Sequence, residues 1–227
     1  MSNIAEGKSG ESLKVSWKKL NKSGSDVRSV AIDMSPAYIL GVADYLPVAE
    51  IVFDHFHVIK LFNEKLSDLR RKQYNLVIAI EQKKALKGTR WLILKNQESI
   101  ENDTKAKEKL YAALSINQPL ATAYYLKEEL SLIWRQESGR ESEKLLTEWA
   151  RKSAVSGIQW LIKFGHKLLA NRNQILAYYS NRYSTGPLEA TNNKIKTIIK
   201  TGLWISSSKK FFKLKVFACH EMSYRLI

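Results

Sequence analysis

VRSVAIDMSPAYILGVADYLPVAEIVFD, residues 27–54, carries the pattern from which the fold class follows. VRSVAID (27–33) is short, rich in Val and Ile, and closes on an acid, which reads as a buried strand. SPAYILGVADYLP (35–47) opens on Ser35-Pro36, a capping residue followed by proline in the first turn, and predicts a helix that stops before Pro47. AEIVFD (49–54) is a second short apolar run that also closes on an acid. Strand, helix and strand in that order predict a parallel pair joined by a right-handed crossover. The fold class expected is therefore α/β.

On the amino-terminal side, SGESLKVSWKKLNKSG (9–24) places Leu13, Trp17 and Leu20 at spacings of four and three, an amphipathic helix stopped by Gly24. After His57 the texture turns helical. VIKLFNEKLSDLRRKQ (58–73), EKLYAALSINQPLATAYYLKEELSLIWRQ (108–136) and GRESEKLLTEWARKSAVSGIQWLIKFGHKLLANR (139–172) all carry the helical period. TRWLILK (89–95) is the single further strand candidate before Tyr183. Loop signals fall at Lys87-Gly88, Asn117-Gln118-Pro119 and Ser138-Gly139. Ser184-Thr185-Gly186-Pro187 opens a helix, LEATNNKIKTIIK (188–200), and KKFFKLKVFACHEMSYRLI (209–227) reads as one more. Three segments follow: a core over 1–57, a helical insertion over 58–183, and carboxyl-terminal helices over 184–227 that complete the core.

Two acids, Asp33 and Asp54, each close a strand. Ligand sites in open parallel sheets lie beyond the carboxyl ends of the strands, so neighbouring strands present both acids on one edge. Paired carboxylates there suit Mg²⁺, which takes hard oxygen ligands. Acids also end strands simply as turn formers, and spacing leaves both readings open. On the 188–200 helix, Glu189, Asn192, Asn193 and Lys196 share a face, with Leu188, Ile195, Ile198 and Ile199 on the apolar side. An acid, two amides and a lysine on one face suit metal and phosphate, or an ordinary solvated surface. His55 and His57 do not make a zinc site, because no Cys or further His lies nearby to complete four ligands.

Charge names a class of partner. Thirty-seven Lys and Arg stand against 22 Asp and Glu, a net charge of +15, which points to a polyanion such as DNA. Basic clusters at 70–72, 83–87 and 194–200, with Trp91 and Trp204 near two of them, are candidates for a phosphate track. Lys194, Lys196 and Lys200, with Asn192 and Asn193, are the candidate nucleic-acid contacts on the 188–200 helix. Apolar residues make up 44% of the chain, enough for a real core, yet no apolar run reaches the ~18 residues of a membrane span. MSNIAEGKSGES lacks a signal peptide's apolar stretch, and the single cysteine, Cys219, forms no internal disulfide, so a cytoplasmic protein without membrane association is expected.

VAIDMSPAYILGVADYLPVAEIVFDHFHVIKLFNEKLSDLRR (30–71) resembles the core of DDE transposases of the ISL-three group of bacterial insertion sequences. STGPLEATNNKIKTIIK (184–200) resembles that group's terminal Glu motif, and TRWLILKN (89–96) a further family segment. The resemblance implies an RNase H-like fold interrupted by a large all-helical insertion. It implies metal-dependent DNA strand cleavage and strand transfer with Mg²⁺ or Mn²⁺, two ions ~4 Å apart activating the nucleophile and stabilising the leaving oxygen. Carried over by motif, Asp33 is the second catalytic acid and Glu189 the third, and these two hold metal. Asp54 and His57 match an aspartate-x-x-histidine signature that supports the site, Asp54 being the alternative for the second acid.

Two departures from the family pattern shape expectation. The family's first catalytic Asp lies on a strand upstream of everything here, and the only acids before the first helix, Glu6 and Glu11, sit in polar sequence. The resemblance therefore implies an amino-terminally truncated, partial RNase H-like fold. It also implies little strand cleavage from the chain alone, with a missing amino-terminal half or a full-length transposase as partners. The alternative is a non-catalytic protein that binds DNA or transposase. Two strands where the family has five also leave an open apolar sheet edge, an aggregation hazard. After the Glu motif, Thr201-Gly202-Leu203-Trp204-Ile205-Ser206-Ser207-Ser208 replaces the usual family residues, which suggests a compensated frameshift.

Overall fold

The computed structural model describes residues 10–181 and 193–197. By compactness these fall in two units, one made of residues up to 31, 35–49 and from 182 on, the other of 32–34 and 50–181.

In the first unit, helix α1 (Gly10–Lys22) packs on α2 (Pro36–Tyr45), as the 9–24 and 35–47 readings predict. Trp17 of α1 lies against Gly41 of α2, a contact that any larger residue at 41 would obstruct. Pro36 stands in the first turn of α2, and the helix ends at Tyr45, ahead of Leu46-Pro47. The 193–197 segment is a helical turn in which the Thr197 hydroxyl donates to the Asn193 carbonyl at 3.0 Å.

Strands β1 (Ser29–Ile32) and β2 (Glu50–Phe53) form a two-stranded parallel sheet. The α/β class thus holds, in a molecule that is mostly helix. Among the described residues no other strand occurs. The 89–95 candidate is therefore corrected. Strand pairing does not form there because the segment coils on itself, with Ile93 N–H donating to Thr89 O at 3.1 Å and Lys95 N–H to Trp91 O at 3.3 Å.

The second unit is built on α3 (His55–Leu76), whose buried Val58, Phe62, Leu66 and Leu69 follow the four- and three-residue spacing of one apolar face. It continues through α4 (Ile80–Leu86), α5 (Thr104–Ser115), α6 (Gln118–Leu132), α7 (Gly139–Ala154), α8 (Gln159–Ala170) and the short α9 (Arg172–Leu176). Side-chain caps mark where several of these start. Asp103 accepts from Ala106 N–H, Asn117 from Leu120 N–H and Ser138 from Glu141 N–H, each satisfying an amide that the helix leaves unpaired. Asn117 also donates to Gln73 Oε1 at 3.1 Å, tying the start of α6 to α3. The 108–136 run therefore breaks where its Asn-Gln-Pro signal falls. The 139–172 run, read as one helical stretch, breaks as well, between α7 and α8, at a turn in which Gly157 has φ 70°.

The centre of this unit is aromatic. Phe62 meets Trp149, Trp160 and Phe164 edge-on at centroid distances of 6.0, 5.1 and 5.4 Å, and the Trp149 indole donates to Leu126 O at 2.7 Å. Helix α9 and the turn after it pack on β2. The strand is thereby fixed to the helical core.

Candidate active site at the strand ends

Asp33 follows the last residue of β1, and Asp54 follows the last residue of β2. The Asp54 amide donates to Ile32 O at 3.0 Å. In a parallel ladder each donor bonds the carbonyl one residue before the residue it faces, so this bond sets Asp54 beside Asp33. The sheet register thus brings the two acids together on one edge.

Their surroundings differ. Asp54 is buried, 7% exposed, and caps α3. Its Oδ1 accepts from Phe56 N–H at 3.1 Å, and its Oδ2 lies 2.5 Å from His57 Nδ1. Both oxygens are engaged by the first turn of the helix that follows the strand. Asp33 is half-buried. The aspartate-x-x-histidine spacing has a simple geometric cause: a cap and the third residue beyond it meet over the first turn. With its Nδ1 on Asp54, the half-exposed His57 ring keeps Nε2 for another partner.

His55 stands apart from this pair. Its ring packs with Phe56, Trp134 and Tyr178, at centroid distances of 4.1, 6.0 and 5.5 Å. Among the described residues no group of three His, Cys, Asp or Glu side chains is arranged to hold a metal ion. Glu189, Asn192 and Lys200 lie outside the described residues, as do positions 201–208 and the 209–227 helix reading. Asn193, Lys194 and Lys196 are exposed on the 193–197 helical turn.

The structure adds residues that the sequence did not single out. In the first unit an open hollow is lined by Lys18, Asn21, Lys22 and Tyr45; the signal was there in Lys18 and Lys22, four apart on α1. In the second, Lys127 is 3% exposed in the middle of α6. Its ammonium donates to Ile93 O at 3.1 Å and Lys95 O at 2.5 Å and pairs with Glu128 at 2.7 Å. Burial pulls its pKa below the ordinary lysine value, and Glu128 opposes that shift. No local signal marks this lysine, because LKEEL reads as a solvated helix face.

Similarity to known proteins supplies the wider setting. A transposase family of the DDE ISL3 type matches residues 1–214. The chain is 31% identical over 216 residues to the transposase for insertion sequence element IS1001 of Bordetella parapertussis, an alignment covering 94% of this chain and 52% of that protein. It is 26% identical over 196 residues to the transposase for insertion sequence element IS1557 of Mycobacterium tuberculosis, covering 76% of this chain and 43% of that protein. The chain spans about half the length of the curated relatives it matches. No solved structure matches it.

Proposed function

The chain belongs to the ISL3-type family of DDE transposases, and on that basis we propose that it serves DNA transposition through a carboxylate site at the strand ends. The observation that carries the proposal is the register that sets Asp33 beside Asp54 at the carboxyl edge of a parallel sheet. The partial RNase H-like core and the helical insertion over 58–183 belong to this reading.

Asp33 is the metal-holding acid. Asp54, with one oxygen on the Phe56 amide and the other on the His57 ring, takes the supporting part. Its role is to cap α3 and to hold the His57 ring, whose Nε2 is then placed to bond a phosphate oxygen. Glu189 is the distant second ligand, and Asn192, Asn193, Lys194, Lys196 and Lys200 contact DNA phosphates beside it. The donor chemistry suits a hard divalent cation, Mg²⁺ or Mn²⁺, and its completion rests on Glu189. Such an ion, when bound, stabilises negative charge on the reacting phosphate oxygens.

Affinity cleavage tests the convergence directly. Fe²⁺ is loaded in place of Mg²⁺ and given ascorbate and peroxide, so that the polypeptide is cut beside the bound ion. Cuts at both Asp33 and Glu189 are expected; cuts at one alone would refute a shared site. The second reading is a DNA- or transposase-binding protein without cleavage, favoured by the net charge of +15 and by the engagement of Asp54, the acid beside Asp33. Salt-sensitive binding to element-end DNA with no metal-dependent nicking would decide for it.

A further inference from the structure

We propose that Trp91, with the Arg90 guanidinium over its ring, forms a stacking platform for an unpaired DNA base, with Arg90 and the α3 arginines Arg70 and Arg71 taking phosphates of the same strand. The proposal rests on the DNA reading above and adds the strand state of the ligand and the surface that reads it.

Trp91 is 64% exposed, an unusual position for the largest apolar side chain. The Arg90 guanidinium lies over its ring, 4.9 Å from the centroid. The turn that carries Trp91 is held from beneath. The buried Lys127 ammonium donates to the carbonyls of Ile93 and Lys95. Thr89, itself buried, donates through its hydroxyl to Leu86 O at 2.8 Å, and Ile93 is fully buried. The backbone that carries the exposed indole is thus braced by hydrogen bonds before any ligand arrives, so less of its ordering is left for binding to impose.

The basic charges of Arg70, Arg71 and Arg90 are largely unbalanced. Arg70 reaches from α3 to donate to Leu86 O at 3.2 Å, while its buried Nε has no hydrogen-bond partner among the described residues. Burial first, then the nearby Arg90 and Arg71, lowers the pKa of Arg70. Among the described residues the only acid paired with any of the three is Asp68, 3.7 Å from Arg71, with both side chains exposed. Arg70 also lies 5.8 Å from the Tyr74 ring centroid. Clustered guanidinium groups call for an anion, and an exposed indole calls for a flat apolar face. A single strand offers both at once, whereas a duplex keeps its bases stacked on one another.

The test is fluorescence anisotropy on the 227-residue chain, with labelled oligo-dT, a duplex of equal length and an abasic strand of equal length. Trp91→Ala is expected to weaken oligo-dT binding by about tenfold or more and to leave the duplex and abasic strands within about twofold. Trp91→Phe keeps most of the affinity, and Arg90→Gln lowers the salt dependence by about one phosphate contact. Equal losses on oligo-dT and duplex, or abasic binding as tight as oligo-dT, would overturn the platform while leaving the DNA reading intact. No affinity of the unaltered chain for any of the strands would overturn both. A concentration-dependent dimer abolished by Trp91→Ala would make the patch a self-interface and also overturn the platform.

Discussion

Asp54 shows how a spacing can be legible before the bonds behind it are. The sequence places it at a strand end, three residues before His57, with support of the site as its role and the second catalytic acid as the alternative. The structure gives its two oxygens to the Phe56 amide and the His57 ring. Asp54→Ala is expected to cost about 1 kcal/mol or more through the lost cap, read by urea denaturation. Asp33→Asn keeps the size of the side chain and one of its acceptor oxygens. Its expected effect is on metal binding, read as a loss of Mn²⁺ affinity in a calorimetric titration; an unchanged affinity would count against Asp33 as a ligand. Lys127 is the opposite case, a residue whose importance no neighbouring residue announces. Lys127→Met leaves the carbonyls of Ile93 and Lys95 without their donor, and a loss of roughly 3 kcal/mol is expected by urea denaturation.

Among the elements, the first strand, helix and strand follow from local chemistry: β-branched residues, the Ser35-Pro36 start and the Pro47 stop. The helices of the second unit follow from periodicity, but the joints between them do not follow equally. Asn117-Gln118-Pro119 marks its break because Asn117 caps and Pro119 fits only a first turn. The joint between α7 and α8 is less visible, since only Ser156-Gly157 interrupts the pattern. These two helices meet closely. A Cβ on Gly165 would overlap the Ser153 hydroxyl, which is buried and bonded to Ala150 O at 2.7 Å. Gly165→Ala is expected to destabilise by about 1–3 kcal/mol, and Ser153→Gly in the same chain to recover part of it. Additive losses in the double variant would show that the contact is not what limits the site. The 89–95 segment fails as a strand for a related reason: its apolar residues are those of a strand, but two of its carbonyls are satisfied by a lysine from α6 rather than by a neighbouring strand.

Across the molecule, burial is unevenly shared. Among the described residues the largest fully buried side chains, Trp149, Tyr124, Phe53 and Phe62 among them, all belong to the second unit. Amide hydrogen exchange is therefore expected to be slowest in α3, α6, α7 and α8 and faster in α1 and α2. Uniform protection across both sets would contradict this. Among the described residues the sheet has two strands, so each presents an unpaired edge, and aggregation of the isolated chain is expected to follow. A sharp, reversible thermal transition of a monomer, free of light scattering, would count against it.

Local sequence accounts for the order of elements, the basic character of the chain, its family, and the placing of an acid at the end of each strand. These depend on residues near one another in the chain, where propensity, capping and period act directly. Folding in three dimensions accounts for the rest: that Asp54 is engaged by the first turn of α3 with Asp33 beside it, that Lys127 is buried, and that Trp91 stands out in solvent on a braced turn. Each of those outcomes depends on which distant group arrives to satisfy a charge, a carbonyl or an apolar face, and that is settled by packing between elements.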